Sequence, residues 1–173
     1  MTYLSILPAG KGHVNMNDAQ RRRSLDAAVE LTHFAYRAMT ARPDALLAAR
    51  GLSRVHHRIL HFVVRLPNPS VGDVLRTLGV SKQALSGPLR DLYAQKLITY
   101  VRGADDARVK RLSLTTEGRK LEGRLAALQR AQFAAVFEAE GAQAEAAWRA
   151  IMRRLGAPML AQARFDIGDA PLT

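Results

Sequence analysis

The chain has 173 residues, with 26 Lys and Arg against 15 Asp and Glu and a formal net charge of +11. That length suits one domain, or a small domain with helical extensions, and a hydrophobic share of 48% sets wholesale disorder aside. The positive surplus favours a polyanionic partner, nucleic acid or an anionic membrane surface, and the lack of cysteine removes disulfides, thiolate metal sites and a cysteine nucleophile.

No apolar run approaches the ~18 residues a membrane span needs. Residues 1–10 (MTYLSILPAG) hold a short apolar patch without a basic stretch before it, so no signal peptide is expected. The expected compartment is a reducing cytoplasm, with no membrane partner.

Residues 1–16 lack periodicity and carry Pro8, Gly10 and Gly12, which predicts a flexible arm. Asn17 or Asp18 can cap a long helix running to about residue 41, with Leu25, Val29, Thr32, Tyr36 and Met39 along one side. Arg21, Arg22 and Arg23 sit in its first turns, where they oppose the helix dipole; they form a solvated face or contact phosphate. Pro43 is expected to end this helix, because the residue before a proline is pushed out of helical geometry. A short helix over 44–50 should follow, closed by Gly51, so 17–50 forms a first helical block.

Ser53 can cap a helix over 54–65 whose buried side is Val55, Ile59, Phe62 and Val63. Leu66-Pro67-Asn68-Pro69 reads as a turn. Ser70 with Asp73 three residues on resembles a capping box, Val74, Leu75 and Leu78 give an apolar face, and Gly79 closes a short helix. Val80 fills the turn and Ser81 caps the next helix, in which Ala84, Leu85, Leu89 and Leu92 are expected to point inward. Ser81, Lys82, Gln83, Ser86, Gly87 and Arg90 then share the outer face. Small, polar and basic residues on an exposed helix can enter a major groove: Gln pairs bidentately with adenine, Lys and Arg with guanine or phosphate.

Residues 97–101 and 109–114 are rich in β-branched residues, Leu and Tyr and read as a hairpin. Its tip, RGADDAR over 102–108, sets Arg beside Asp, a pairing suited to the narrow minor groove as well as to an ordinary charged turn. Helix, turn, helix and hairpin in this order describe a winged helix-turn-helix over 53–116. Two further helices, 116–138 and 142–162, are separated by Gly141; Pro158 should kink or end the second. The block 117–165 completes the helical frame, and 166–173 should fray.

These residues resemble the MarR family of bacterial winged-helix transcriptional regulators. Leu78-Gly79-Val80-Ser81-Lys82 looks like the family's entry into the recognition helix. Leu92 with Leu97-Ile98 resembles its "L…GLI" exit, Asp106-Ala107-Arg108 its wing D-x-R, and Leu114-Thr115-Thr116-Glu117-Gly118-Arg119 its LTxxGR junction. The fold class implied is mainly α with a small β-hairpin wing, flanked by N- and C-terminal dimerisation helices. The resemblance implies a homodimer on a pseudo-palindromic double-stranded DNA operator, acting as a repressor modulated by a small-molecule effector. By carry-over Arg108 enters the minor groove and Asp106 orients it, with Arg102 and Lys110 as further wing residues. Ser81, Lys82, Gln83, Ser86 and Arg90 are the recognition-helix contacts. Gly87-Pro88 departs from the family pattern and predicts a bend or a later helix start, unless Gly87 serves close approach to DNA.

The family places an effector pocket between dimerisation helices and winged module. His33, Tyr36, Arg37, His57 and His61 are its candidate lining, with Arg37 suited to an anionic aromatic ligand. His57 and His61 have a spacing that can share zinc, but their helix carries no acid, so no metal site and no cofactor is expected. No phosphate-binding glycine loop, nucleophile elbow or H-E-x-x-H motif points to an enzyme. The alternative reading is a nucleoid-associated or interaction protein without effector or strong sequence choice.

Overall fold

The structure is a computed structural model that describes residues 17–102, 110–163 and 167. Its elements are α1 (Asp18–Ala48), α2 (Arg54–Arg65), α3 (Val71–Leu78), α4 (Lys82–Ala94), β1 (Ile98–Arg102), β2 (Lys110–Leu114), α5 (Thr116–Glu140) and α6 (Ala142–Ala163). The expected arm and most of the expected frayed tail lie outside the described residues. The chain divides into two compact units, Met1–Ala38 and Met39–Thr173.

In the first unit, Asn17 caps α1: its Oδ1 accepts the Gln20 N–H at 2.8 Å. The apolar stripe expected from periodicity is present and unburied, with Val29 72% exposed and Leu25 and Tyr36 also open.

The second unit holds the core. Pro43 does not end α1, and no separate helix forms over 44–50. Proline removes one helical hydrogen bond, the one to the Met39 carbonyl, at a cost of about 3 kcal/mol. Burial offsets that cost here, because Thr40, Pro43 and Leu47 all face the interior. Gly51, at φ +66°, makes the expected left-handed turn into α2. Leu47, Ile59, Leu60, Val74, Leu85, Leu92, Leu97, Ile98, Leu121 and Leu125 are sealed from solvent. Burying each such side chain contributes roughly 1.5–3 kcal/mol.

The wing is an antiparallel pair in which Ile98 faces Leu114, Tyr100 faces Leu112 and Arg102 faces Lys110. Leu112 donates its N–H to the Pro69 carbonyl at 2.7 Å, and Ser70 bridges to Arg111, so the wing is stitched to the entry of α3. The LTxxGR junction is built around a close approach. The Thr115 hydroxyl donates to the Lys96 carbonyl at 2.7 Å and accepts from the Gly118 N–H at 3.0 Å. This presses α5 onto the chain entering β1, where a Cβ at Gly118 would lie 1.9 Å from the Leu97 carbonyl oxygen.

Gly141 separates α5 from α6 as expected, but Pro158 does not end α6. The carbonyl it frees belongs to Arg154, an exposed residue that water can reach. Among the described residues α6 buries nothing, and Ile151, Met159 and Leu155 (69% exposed) stand open along it.

Candidate nucleic-acid interface

The helix-turn-helix is held by local chemistry the sequence spells out. At the start of α3 the Ser70 N–H and hydroxyl both donate to Asp73 Oδ2, at 2.9 and 2.7 Å, while Ser70 Oγ accepts the Asp73 N–H at 3.2 Å. These bonds from Ser70, helped by the nearby Arg76 and Arg111 guanidinium groups, hold the Asp73 carboxyl below its usual value against the upward push of burial. Gly79 closes α3 at φ +64°, and Val80 is half-buried against the core. Ser81 caps α4 by accepting the Ala84 N–H at 3.2 Å.

Three leucines fix how α4 is turned: Leu85, Leu89 and Leu92 are buried. Ser81, Lys82, Gln83, Ser86 and Arg90 are exposed together on the opposite side, as expected. Ala84, expected inward, is exposed instead, because the inner face at this turn is filled by Leu85. The Ser86 hydroxyl donates to the Gln83 carbonyl at 3.0 Å, which leaves its lone pairs free to accept. Lys82 and Arg90 pair with no acid among the described residues, whereas Arg54 pairs with Asp44 and Arg76 with Asp73. An unneutralised cation on an exposed helix is what phosphate attracts.

Gly87-Pro88 neither delays nor splits α4, which runs unbroken from Lys82 to Ala94. The reason is local. A proline clashes with the Cβ of the residue before it, and Gly87 has none. The carbonyl Pro88 frees is that of Ala84, an exposed residue whose backbone water can solvate. Gly87 itself is half-buried, and beyond its two chain neighbours a Cβ there would meet nothing within 4 Å, so it is the following proline and not the surrounding packing that favours glycine.

In the wing, Lys110 is exposed, with its Nζ 5.9 Å from the centre of the Tyr100 ring. Tyr100 packs in turn on Tyr93 of α4 at 5.5 Å, joining wing to recognition helix. The Arg102 backbone belongs to β1. Asp106 and Arg108, the expected minor-groove pair, lie outside the described residues.

The expected effector residues fall in both units. His33, Tyr36 and Arg37 are exposed on the first, with the His33 ring edge-on to Phe34. In the second, His57 is buried and its Nε2 has no hydrogen-bond partner among the described residues. Burial above all, then the neighbouring His61, holds the His57 imidazole below its ordinary value, against the opposing pull of Glu122 and Asp44. His61 Nδ1 lies 3.2 Å from Glu122 Oε1, linking α2 to α5, and the two rings meet edge-on at 6.3 Å rather than converging on one point.

Sequence reasoning missed His56. Its Nδ1 accepts the Ser53 N–H at 3.0 Å and its Nε2 lies 3.4 Å from Asp91 Oδ2 on α4. The signal was there: His56 stands three residues after Ser53, where a capping box carries Glu or Gln. A cleft of about 790 Å³, lined by Phe133, Phe137, Trp148 and Arg149, opens between α5 and α6, where the three aromatic rings pack on one another at 5.2–5.6 Å.

A sequence profile of the MarR family matches residues 50–109, from the turn before α2 through β1 to the residue before β2. The HTH-type transcriptional regulator PetP of Rhodobacter capsulatus is 35% identical over 163 residues, 94% of this chain and 96% of that protein. Among solved structures, the S. aureus MepR–DNA complex is similar at a TM-score of 0.63 and 18% identity, over 75% of this chain and 94% of that one. NadR in complex with 4-hydroxyphenylacetate is similar at a TM-score of 0.60 and 18% identity, over 86% of this chain and 97% of that one. At such identities the structural likeness speaks for the fold, mainly α with a β-hairpin wing. The likeness to PetP runs nearly end to end, and together with the profile match it settles the family: the chain belongs to the MarR family of DNA-binding transcriptional regulators, not to a family of enzymes.

Proposed function

We propose that the protein is a homodimeric, sequence-specific repressor that acts in the cytoplasm and leaves its operator when a small ligand binds. The observation that carries this reading is the outer face of α4, where Ser81, Lys82, Gln83, Ser86 and Arg90 are exposed together on a helix whose roll is set by Leu85, Leu89 and Leu92. Lys82 and Arg90 serve phosphate or guanine, and Gln83 reads adenine. Lys110, Arg102 and the Asp106–Arg108 pair supply the wing contacts. The apolar stripes left open on α1 and α6 are the surfaces a second copy covers, giving a dimer with two recognition helices and a pseudo-palindromic site. The block boundaries follow: 17–50 and 117–165 serve the dimer, 53–116 the DNA. The effector lodges against His57 and His61, where a buried ring nitrogen lacks a partner and can meet an anionic aromatic acid.

The test is a gel shift on the gene's own upstream region with competitor duplex. A regulator prefers that region strongly over random DNA, and comparable affinity for both would leave only the nucleoid-type alternative. Gln83→Ala should relax base preference by about 1–3 kcal/mol at one position per half-site. Leu155→Glu should convert the dimer to monomer in sedimentation and lower operator affinity with it. Titration with 4-hydroxyphenylacetate and related phenolic acids should raise the melting temperature and release DNA. A ligand series that moves neither would remove the effector from the reading.

A further inference from the structure

We propose that His56 is a positioning residue for the recognition helix, fixing where α4 sits against the rest of the winged module through Asp91. The inference rests on DNA being read by α4. His56 is only 6% exposed, and both of its ring nitrogens are engaged. Nδ1 accepts the Ser53 N–H at 3.0 Å, so the ring proton resides on Nε2 and points at Asp91 Oδ2, 3.4 Å away. An imidazole engaged at both nitrogens thus joins the N-terminus of α2 to the second half of α4.

The recognition helix needs such a tether more than most. Pro88 removes the rung that would join Ala84 to the following turn, so the half carrying Lys82, Gln83 and Ser86 is coupled less rigidly to the half carrying Arg90 and Asp91. Buried leucines hold the helix down, but a greasy contact permits sliding that a directional bond resists. A second bond reaches the same corner of the molecule: Gln95 Nε2 donates to the Arg50 carbonyl at 3.2 Å. The ties run from the C-terminal half of α4 and from Gln95 at its C-cap to residues 50–56, where α1 gives way to α2. That turn therefore sets the height and roll of the reading face, and His56 meets a carboxylate of α4 from it.

Asp91 offers a clean test because it is half-exposed and removable. Its carboxylate also repels DNA, so the comparison must hold charge constant. Asp91→Ala and Asp91→Asn both remove the charge, but only Asn keeps an oxygen to accept the Nε2 proton. The probe is a duplex enriched from a random library by the wild-type protein, with an unselected duplex as control. Asp91→Asn should bind the enriched duplex about two- to tenfold more tightly than Asp91→Ala, the worth of one net hydrogen bond, with no such gap on the unselected duplex. In a His56→Ala background the gap between the two Asp91 variants should vanish. Should that background melt within the assay range, the two Asp91 variants in the wild-type background decide alone. Equal affinity of the two there, or a gap that persists without His56, overturns the proposal. Failure of the wild type to enrich any duplex would instead overturn the DNA reading on which it rests.

Discussion

Single residues carry strain or close contacts that the local sequence motif encodes. At Gly118 a methyl group would collide with the Leu97 carbonyl, and that carbonyl cannot retreat because it is also bonded to Thr115. Gly118→Ala should therefore cost about 1–3 kcal/mol, read as a lower urea midpoint at unchanged slope. Lys96 shows the opposite case. It stands where the resembling motif has the glycine of "GLI", and it adopts φ +55°, a region an L-residue enters only with strain. Lys96→Gly should raise stability by about 0.5–1 kcal/mol, the relief of strain exceeding the added entropy of the unfolded chain. A neutral or destabilising result would mean that the Lys96 side chain contributes more than its backbone costs.

At the scale of elements, each proline acts as an interruption that the fold tolerates. Pro43, Pro88 and Pro158 all lie inside helices. Propensity predicts an end at Pro43, a bend or a later start at Pro88 and a kink or an end at Pro158; burial at Pro43 and solvation of the freed carbonyls at Pro88 and Pro158 let each helix continue. In α4 this gives a test with a change of sign. Pro88→Ala should stabilise by on the order of 1–2 kcal/mol, less than the full helix penalty because proline also restrains the unfolded chain. Gly87→Ala should destabilise the wild type, where a Cβ meets the proline ring, yet stabilise the Pro88→Ala protein by about 0.5–1 kcal/mol. Thermal melts of the four proteins check both statements at once.

For the molecule as a whole, folding should respond to pH in two windows. The His57 imidazole is held below its ordinary 6.5, chiefly by burial, so the unfolded chain takes up a proton before the folded one does. Stability is then complete above about pH 6.5 and declines as pH falls below it. Asp73 acts further down: its carboxyl is held below 3.8, so the contribution present above that value is lost as pH falls through the lowered one. Urea titrations at successive pH values should show both steps, and His57→Phe should abolish the first while leaving the second. A first step that survives that substitution would assign it to another group.

From α2 onward, the sequence alone determined the order of the elements and, to within a residue or two, their ends. Ser53, Ser70, Ser81, Thr115, Gly79 and Gly141 act through bonds or dihedral angles within a few residues of themselves, so their effect is readable without knowing what packs nearby. Aliphatic spacing likewise set the inner face of α4, and with it the exposed Lys82, Gln83, Ser86 and Arg90. The tertiary structure decided what depends on partners distant in sequence. It carried α1 through Pro43 by burying it, turned Ala84 outward, pressed Gly118 on Leu97, and joined His56 to Asp91 and His61 to Glu122. Periodicity reports which side of a helix is apolar but not what that side meets. A buried histidine is silent in the sequence because its energy comes from groups brought to it only by folding.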